Sequence, residues 1–215
     1  MATLITVLRS GGRYNPSWVE RLARGARRYV ADIDRVVCLT DYDRPIEGVE
    51  TAALRHDWPT WWSKFEGFRP DICGNVNVLC DLDTLFMKTA TGLTSSEEPI
   101  AMEDYFLKGR LSTALMSWRG TELSFLYDQF KDRAAQWMQP GSCGDVPNSV
   151  HGDQVVVDHL LRRSGRLPKF YQQHHPALLN FYDPKKQNDG PILIFIGDAK
   201  PDNAIPSVKR AWETQ

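Results

Sequence analysis

Two aspartates, Asp81 and Asp83, interrupt the apolar run VLCDLDTLF at residues 78–86. An ionised carboxylate in apolar surroundings costs several kcal/mol unless it is paired or binds a metal. The chain holds two other Asp-x-Asp triplets, Asp32/Asp34 before a strand candidate and Asp41/Asp43 opening a turn, where exposed aspartates are cheap. Only Asp81 and Asp83 lie within an apolar run. Side chains at i and i+2 of a strand share a face, so the spacing predicts that both point one way while Val76, Val78, Cys80 and Leu82 line the other. Two convergent carboxylates at the end of a parallel strand suit a hard cation, Mg²⁺ or Mn²⁺, which can in turn hold a diphosphate. The alternative is capping, or pairing with a nearby arginine.

Such a pair needs a scaffold, and the patterning supplies an α/β one. TLITVL (3–8) is a β-rich run ended by the glycine-containing RSGGRYNP. The following segment places Trp18, Val19, Leu22, Ala26, Tyr29 and Val30 on one helical face, with Ser17 near its N-terminal cap. Arg21, Arg24, Arg27 and Arg28 fall largely opposite, as on a solvated face. RVVCLT (35–40) and VETAAL (49–54) read as strands, WWSKFEGFR (61–69) as a short helix, and NVNVLCDLDTLF (75–86) as a strand. Beyond these come strand candidates at 99–102 and 113–118, helices near 121–138 and 153–163, and a closing buried strand, PILIFIG (191–197). This order predicts a single α/β domain over 1–215, Rossmann-like, whose central sheet is mixed but mostly parallel and flanked by helices.

Composition narrows the function. A net charge of −1 provides no global field toward nucleic acid or anionic lipid. No stretch approaches membrane-spanning length, and MATLITVLRS lacks the features of a secretory signal, so no stable membrane insertion is expected. Cys38, Cys73, Cys80 and Cys143 show no metal-ligand spacing; Cys38 and Cys80 read as buried free thiols, consistent with a reducing cytoplasm.

Two families share parts of this pattern. Haloacid-dehalogenase-like phosphatases carry an Asp-x-Asp after a strand and a later Gly-Asp-x-x-x-Asp, which Gly197, Asp198 and Asp202 resemble. They place Thr or Val where this chain has Leu85, and their aspartate pair normally lies on the first strand. The GT-A glycosyltransferases, family 8 in particular (the glycogenin and lipopolysaccharide galactosyltransferase group), are similar in order along nearly the whole chain. RSGGRY resembles that family's nucleotide pocket, WWSKFEGF its helix with a donor-binding lysine, and VLCDLDTLF its metal-binding segment. STALMSW stands where the family has Asn-Ser-Gly-Val-Met, HGDQVVVDHLL resembles its Asp-Gln helix start, and GDAKP its Gly-x-x-Lys-Pro loop.

The second resemblance implies a sugar transfer from a nucleotide-diphosphate sugar, with UDP the expected carrier, and a nucleotide-binding half over about 1–90. The half from about 91 to 215 would face donor sugar and acceptor. Gly12, Arg13 and Tyr14 would meet base, ribose or phosphate, and Asp41 could accept a base N–H or cap a turn. Asp81 and Asp83 would hold Mn²⁺ or Mg²⁺, which neutralises a leaving diphosphate. Lys64 and Lys200 would add positive charge there. Ser112 and Thr113 would line the donor, and Asp153 and Gln154 would position the sugar or the acceptor hydroxyl, with helix capping as the alternative. The family's metal-binding histidine is replaced by Ile194, for which His174 or His175 could substitute. These departures keep a second class open, a nucleotide-sugar-binding protein with little catalysis. The acceptor is undetermined among saccharide, lipid-linked sugar, protein and modified base; Arg162, Arg163, Arg166 and Lys169 form a basic cluster that an anionic one could use.

Overall fold

The computed structural model describes residues 1–144 and 146–215. The first half runs β1 (Ala2–Leu8), α1 (Pro16–Tyr29), β2 (Ile33–Thr40), β3 (Glu50–Ala53), a 3₁₀ helix (Thr60–Phe68), β4 (Val76–Cys80) and β5 (Leu85–Phe86). Then come β6 (Ile100–Glu103), β7 (Leu111–Arg119), α2 (Ser124–Lys131), α3 (Ala134–Trp137) and α4 (Asp153–Ser164). The chain ends with β8 (Lys169–Phe170), α5 (Tyr171–His174), β9 (Leu179–Phe181), β10 (Ile192–Ile194) and α6 (Pro206–Glu213).

Seven strands form the central sheet in the order β3-β2-β1-β4-β7-β6-β8. Only the β4–β7 and β7–β6 pairings are antiparallel, so the sheet is mixed and mostly parallel. Strand alternation divides the core into two layers. Leu4, Val36, Cys38, Val78 and Cys80 pack under Val19, Leu22 and Ala26 of α1. Ile5, Val37, Leu39 and Leu79 face Phe65 and Phe68, Leu126 and Phe130 of α2, and Val156 and Leu160 of α4. Cys38, Cys80 and Cys143 are buried free thiols and Cys73 is half-buried. Among the described residues no helix is long and apolar enough to cross a membrane.

Several local expectations are corrected. β4 stops at Cys80, whose carbonyl accepts the Thr6 hydroxyl at 2.9 Å, and Asp81 opens a turn closed by the Thr84 N–H. The two aspartates therefore leave the strand instead of sharing one of its faces, although Val76, Val78, Cys80 and Leu82 do enter one core layer. Segment 60–68 is a 3₁₀ helix because its buried rings Trp62, Phe65 and Phe68 recur every third residue, the period of that helix. The helix expected over 121–138 breaks at Asp132 and Arg133, where three consecutive exposed charged residues have nothing to bury. The cap of α1 is Asn15, not Ser17: its side chain accepts from the Ser17 N–H and Pro16 follows at the first helical position. Arg24, Arg27 and Arg28 are exposed as expected, but Arg21 lies over the Trp212 ring at 4.3 Å. The last strand is shorter than expected and joins a separate three-stranded sheet, β5-β10-β9.

The 3₁₀ helix is anchored by a buried ion pair. Glu66, fully buried, accepts from the backbone N–H groups of Arg55 and His56 and pairs with Arg69 at 2.8 Å. Removing one partner of such a pair leaves the other charge buried. Glu66→Ala is expected to lower unfolding free energy by about 3 kcal/mol, measured by urea denaturation; a change under about 0.5 kcal/mol would sink this account.

Candidate active site

In open α/β sheets, ligands bind outside the carboxyl ends of the strands, where strand order reverses. Here the chain leaves β1 toward β2 and β3 on one side and returns as β4 on the other, so the reversal lies between β1 and β4. A cavity of about 880 Å³ opens there. The loop after β1 contributes Gly12, Arg13 and Tyr14; the turn after β4 contributes Asp81 and Asp83. The 3₁₀ helix adds Lys64, the start of α4 adds Asp153 and Gln154, and the segment after β10 adds Gly197 and Lys200. Of the residues expected from the sequence, only Asp41, Ser112 and Thr113 do not line it.

The aspartates answer to two different lysines. Lys64 Nζ lies 2.7 Å from Asp81 Oδ1, and Lys200 Nζ lies 2.8 Å from Asp83 Oδ2. Asp83 Oδ2 also accepts the Tyr14 hydroxyl at 3.1 Å. Each carboxylate is thus paired, with lysine where the sequence reading named arginine. Burial raises the pKa of Tyr14 and the Asp83 carboxylate adds to the rise, so the phenol stays a donor. Burial opposes the charge on Lys64, but the carboxylates of Asp153 and Asp81 outweigh it and hold its pKa above the ordinary value. Asp81 is itself pushed above the usual carboxylate range by burial, against the pull of Lys64.

Lys64 ties the acidic turn to the start of α4. Its Nζ lies 3.4 Å from Asp153 Oδ2 and donates to Thr113 Oγ1 at 3.4 Å, while the Thr113 hydroxyl donates to Asp153. Ser112 Oγ donates to Gln154 Oε1 at 3.3 Å. Ser112 and Thr113, on β7, therefore stand behind the cavity wall and orient the two residues that line it. Asp104, which sequence reading missed, accepts from Gln154 Nε2 at 2.7 Å and caps the backbone of Phe106 and Leu107. Its signal was weak, because one aspartate before a glycine-bearing loop resembles any turn cap.

Asp41 follows β2, but its carboxylate is engaged by the N–H and hydroxyl of Ser10, at 2.7 and 2.8 Å. Partial burial opposes its ionisation, yet those Ser10 bonds hold its pKa below the ordinary value. It shapes the loop after β1. Arg13 pairs with Asp202 at 2.6 Å, tying that loop to the C-terminal one. The phosphatase arrangement required the last strand beside the Asp81 strand; β4 lies between β1 and β7, and β10 pairs with β5 and β9.

Among the described residues, no group of three or more His, Cys, Asp or Glu side chains gathers to hold a metal. Ile194 is buried in the core, and neither His174 nor His175 lines the cavity. Asp81 and Asp83 still fit a Mg²⁺-type ion, which is commonly held by one or two carboxylates with substrate phosphates and water completing its shell. The basic cluster lies at the other end of α4, with Arg162 paired to Asp158, Arg166 bound to the Glu122 carbonyl and Lys169 paired to Glu98.

No protein-family profile matches the chain, and no curated protein does. Solved structures match closely in shape. The glycosyltransferase GlyE of Streptococcus pneumoniae TIGR4 superposes with a TM-score of 0.68 and 11% identity over 99% of this chain. Its apo form gives 0.66 and 12%. This chain spans about three fifths of GlyE's length, 60% and 59% in the two structures. The galactosyltransferase LgtC, solved with donor and acceptor sugar analogs, superposes with a TM-score of 0.64 and 10% identity, covering 98% of this chain and 94% of LgtC. The chain has the fold of the GT-A glycosyltransferases.

Proposed function

We propose that this protein is a glycosyltransferase that takes a sugar from a UDP-sugar, assisted by Mn²⁺ or Mg²⁺ at Asp81 and Asp83. The observation that carries the reading is the pair of lysine–aspartate contacts in one cavity at the strand-order reversal. A diphosphate entering there meets two cationic ammonium groups, and the carboxylates they release become available to a cation. That ion would offset the charge growing on the leaving diphosphate. Lys200 contributes to the same stabilisation by a charge-assisted contact. The bond between the anomeric carbon and the diphosphate oxygen breaks, its electron pair leaving with UDP, and the acceptor oxygen bonds to that carbon as its hydroxyl proton passes to the departing diphosphate. Asp153 and Gln154, oriented by Thr113, Ser112 and Asp104, position the sugar and the attacking hydroxyl. Gly12, Arg13 and Tyr14 form the wall on the nucleotide side.

A nucleotide-sugar screen with and without Mn²⁺ tests this. The matching donor at a hundred times its dissociation constant should stabilise the protein by about 2.7 kcal/mol, more strongly with the metal, and should be slowly hydrolysed. No stabilisation by any nucleotide sugar would reject the reading. A binding protein with little turnover is the second reading, favoured by the engagement of Asp153 by both Thr113 and Lys64. It predicts calorimetric UDP-sugar binding with no UDP released; donor hydrolysis that depends on Asp83 removes it.

A further inference from the structure

Trp61 is the exception among the protein's tryptophans. The other six are buried, whereas Trp61 is 52% exposed and lines the cavity beside Lys64, Asp153 and Gln154. Its indole lies against Gly152, the residue that caps α4, where an added Cβ would come within 3.3 Å of Nε1 and 3.7 Å of Cδ1. Glycine at 152 therefore leaves room for the ring against the helix start. Thr60, immediately before it, has φ +50°, the only non-glycine residue with positive φ among those described, and it too lines the cavity. A β-branched residue holds that conformation only when its surroundings impose it, and such strain clusters at ligand sites.

We infer that Trp61 is the platform of an acceptor subsite that takes a saccharide. The inference rests on the donor reading above, which assigns the diphosphate to Lys200 and Asp83. A pyranose ring has an apolar C–H face that suits an indole, and a rim of hydroxyls that need polar partners. Trp61 supplies the first, and Asp153 and Gln154 share its end of the cavity for the second. A polyanionic acceptor is a poorer match, because nucleic-acid binding draws on unpaired basic groups. The arginines of α4 stand about 15 Å further along that helix, and Arg162 is spent on Asp158.

The test uses the whole protein saturated with UDP and Mn²⁺, titrated by calorimetry with methyl β-glucopyranoside, methyl β-galactopyranoside, lactose and cellobiose, and separately with adenosine and oligothymidylate. At least one saccharide should bind, with a blue shift of the emission from the one exposed tryptophan. Trp61→Ala should weaken that saccharide at least about tenfold, and Trp61→Phe should restore most of the affinity. Circular dichroism verifies that both variants fold, as substitution of a half-exposed ring allows. Equal saccharide affinity in Trp61→Ala overturns the inference, as does binding of the nucleic-acid probes alone or of no saccharide. UDP affinity of the unaltered protein separates the two failures: if UDP binds normally, the subsite falls alone; if it does not, the donor reading falls as well.

Discussion

Asp83→Asn is expected to abolish metal-dependent sugar transfer, with turnover down at least about a thousandfold if the ion contributes several kcal/mol to the transition state. The substitution is nearly isosteric, and its amide oxygen can still accept the Tyr14 hydroxyl, so the fold and the wall of the cavity should survive. What it removes is the charge. Asp83 Oδ2 is where Lys200 and Tyr14 converge, and in the proposed complex the same carboxylate holds the cation. Asp81→Asn should act in the same direction and also release Lys64, whose remaining carboxylate partner is Asp153. Turnover would be measured against Mn²⁺ concentration, with thermal unfolding alongside. Wild-type turnover in both variants would reject the metal role of the pair. Retained turnover with a lost Mn²⁺ dependence would show instead that the lysines alone can carry the diphosphate.

Lys200→Ala is expected to weaken UDP binding and to lower turnover further, by roughly a hundredfold in total if one preorganised donor is worth about 3 kcal/mol. The loop that carries Lys200 is built for a fixed approach. Gly197 has φ +62°, a conformation that a side chain would strain, and Pro201 begins the turn after Lys200. Asp202 pairs with Arg13, so Lys200 is carried by a loop already tied to the loop after β1. In the transition state the charge on the diphosphate grows, and a contact that strengthens with it lowers the barrier, not merely the dissociation constant. Lys200→Arg, which keeps the charge, should recover part of the loss. Calorimetry with UDP and steady-state kinetics would check both, and unaltered UDP affinity in Lys200→Ala would count directly against the assignment.

Much of the fold was legible because its signals are local. The apolar face of α1 follows from side-chain period, whereas β1, β2 and β4 follow from continuous β-rich runs that are buried on both faces. The 3₁₀ helix was missed as such although the three-residue spacing of Trp62, Phe65 and Phe68 announced it. A short apolar segment reads as an ordinary helix unless the period is counted. PILIFIG reads only as a closing buried strand; an apolar run records that it is buried, not which strands it pairs with, and β10 pairs with β5 and β9.

For the site, the sequence by itself determined that two carboxylates interrupt an apolar strand-like run, and that charged or polar residues recur near 13, 64, 153 and 200. It also determined the core layer that Val76, Val78, Cys80 and Leu82 join. Only the tertiary structure decided that the aspartates part company, Asp81 to Lys64 and Asp83 to Lys200. Only it showed Asp41 as a loop brace, Ser112 and Thr113 as supports behind the wall, and Asp104 as the partner of Gln154. The physical reason is range. Periodicity reflects hydrogen bonds and packing among residues a few positions apart, whereas an ion pair between residues 83 and 200 depends on the direction each chain segment takes after its strand ends, and that direction is set by the packing of the whole sheet.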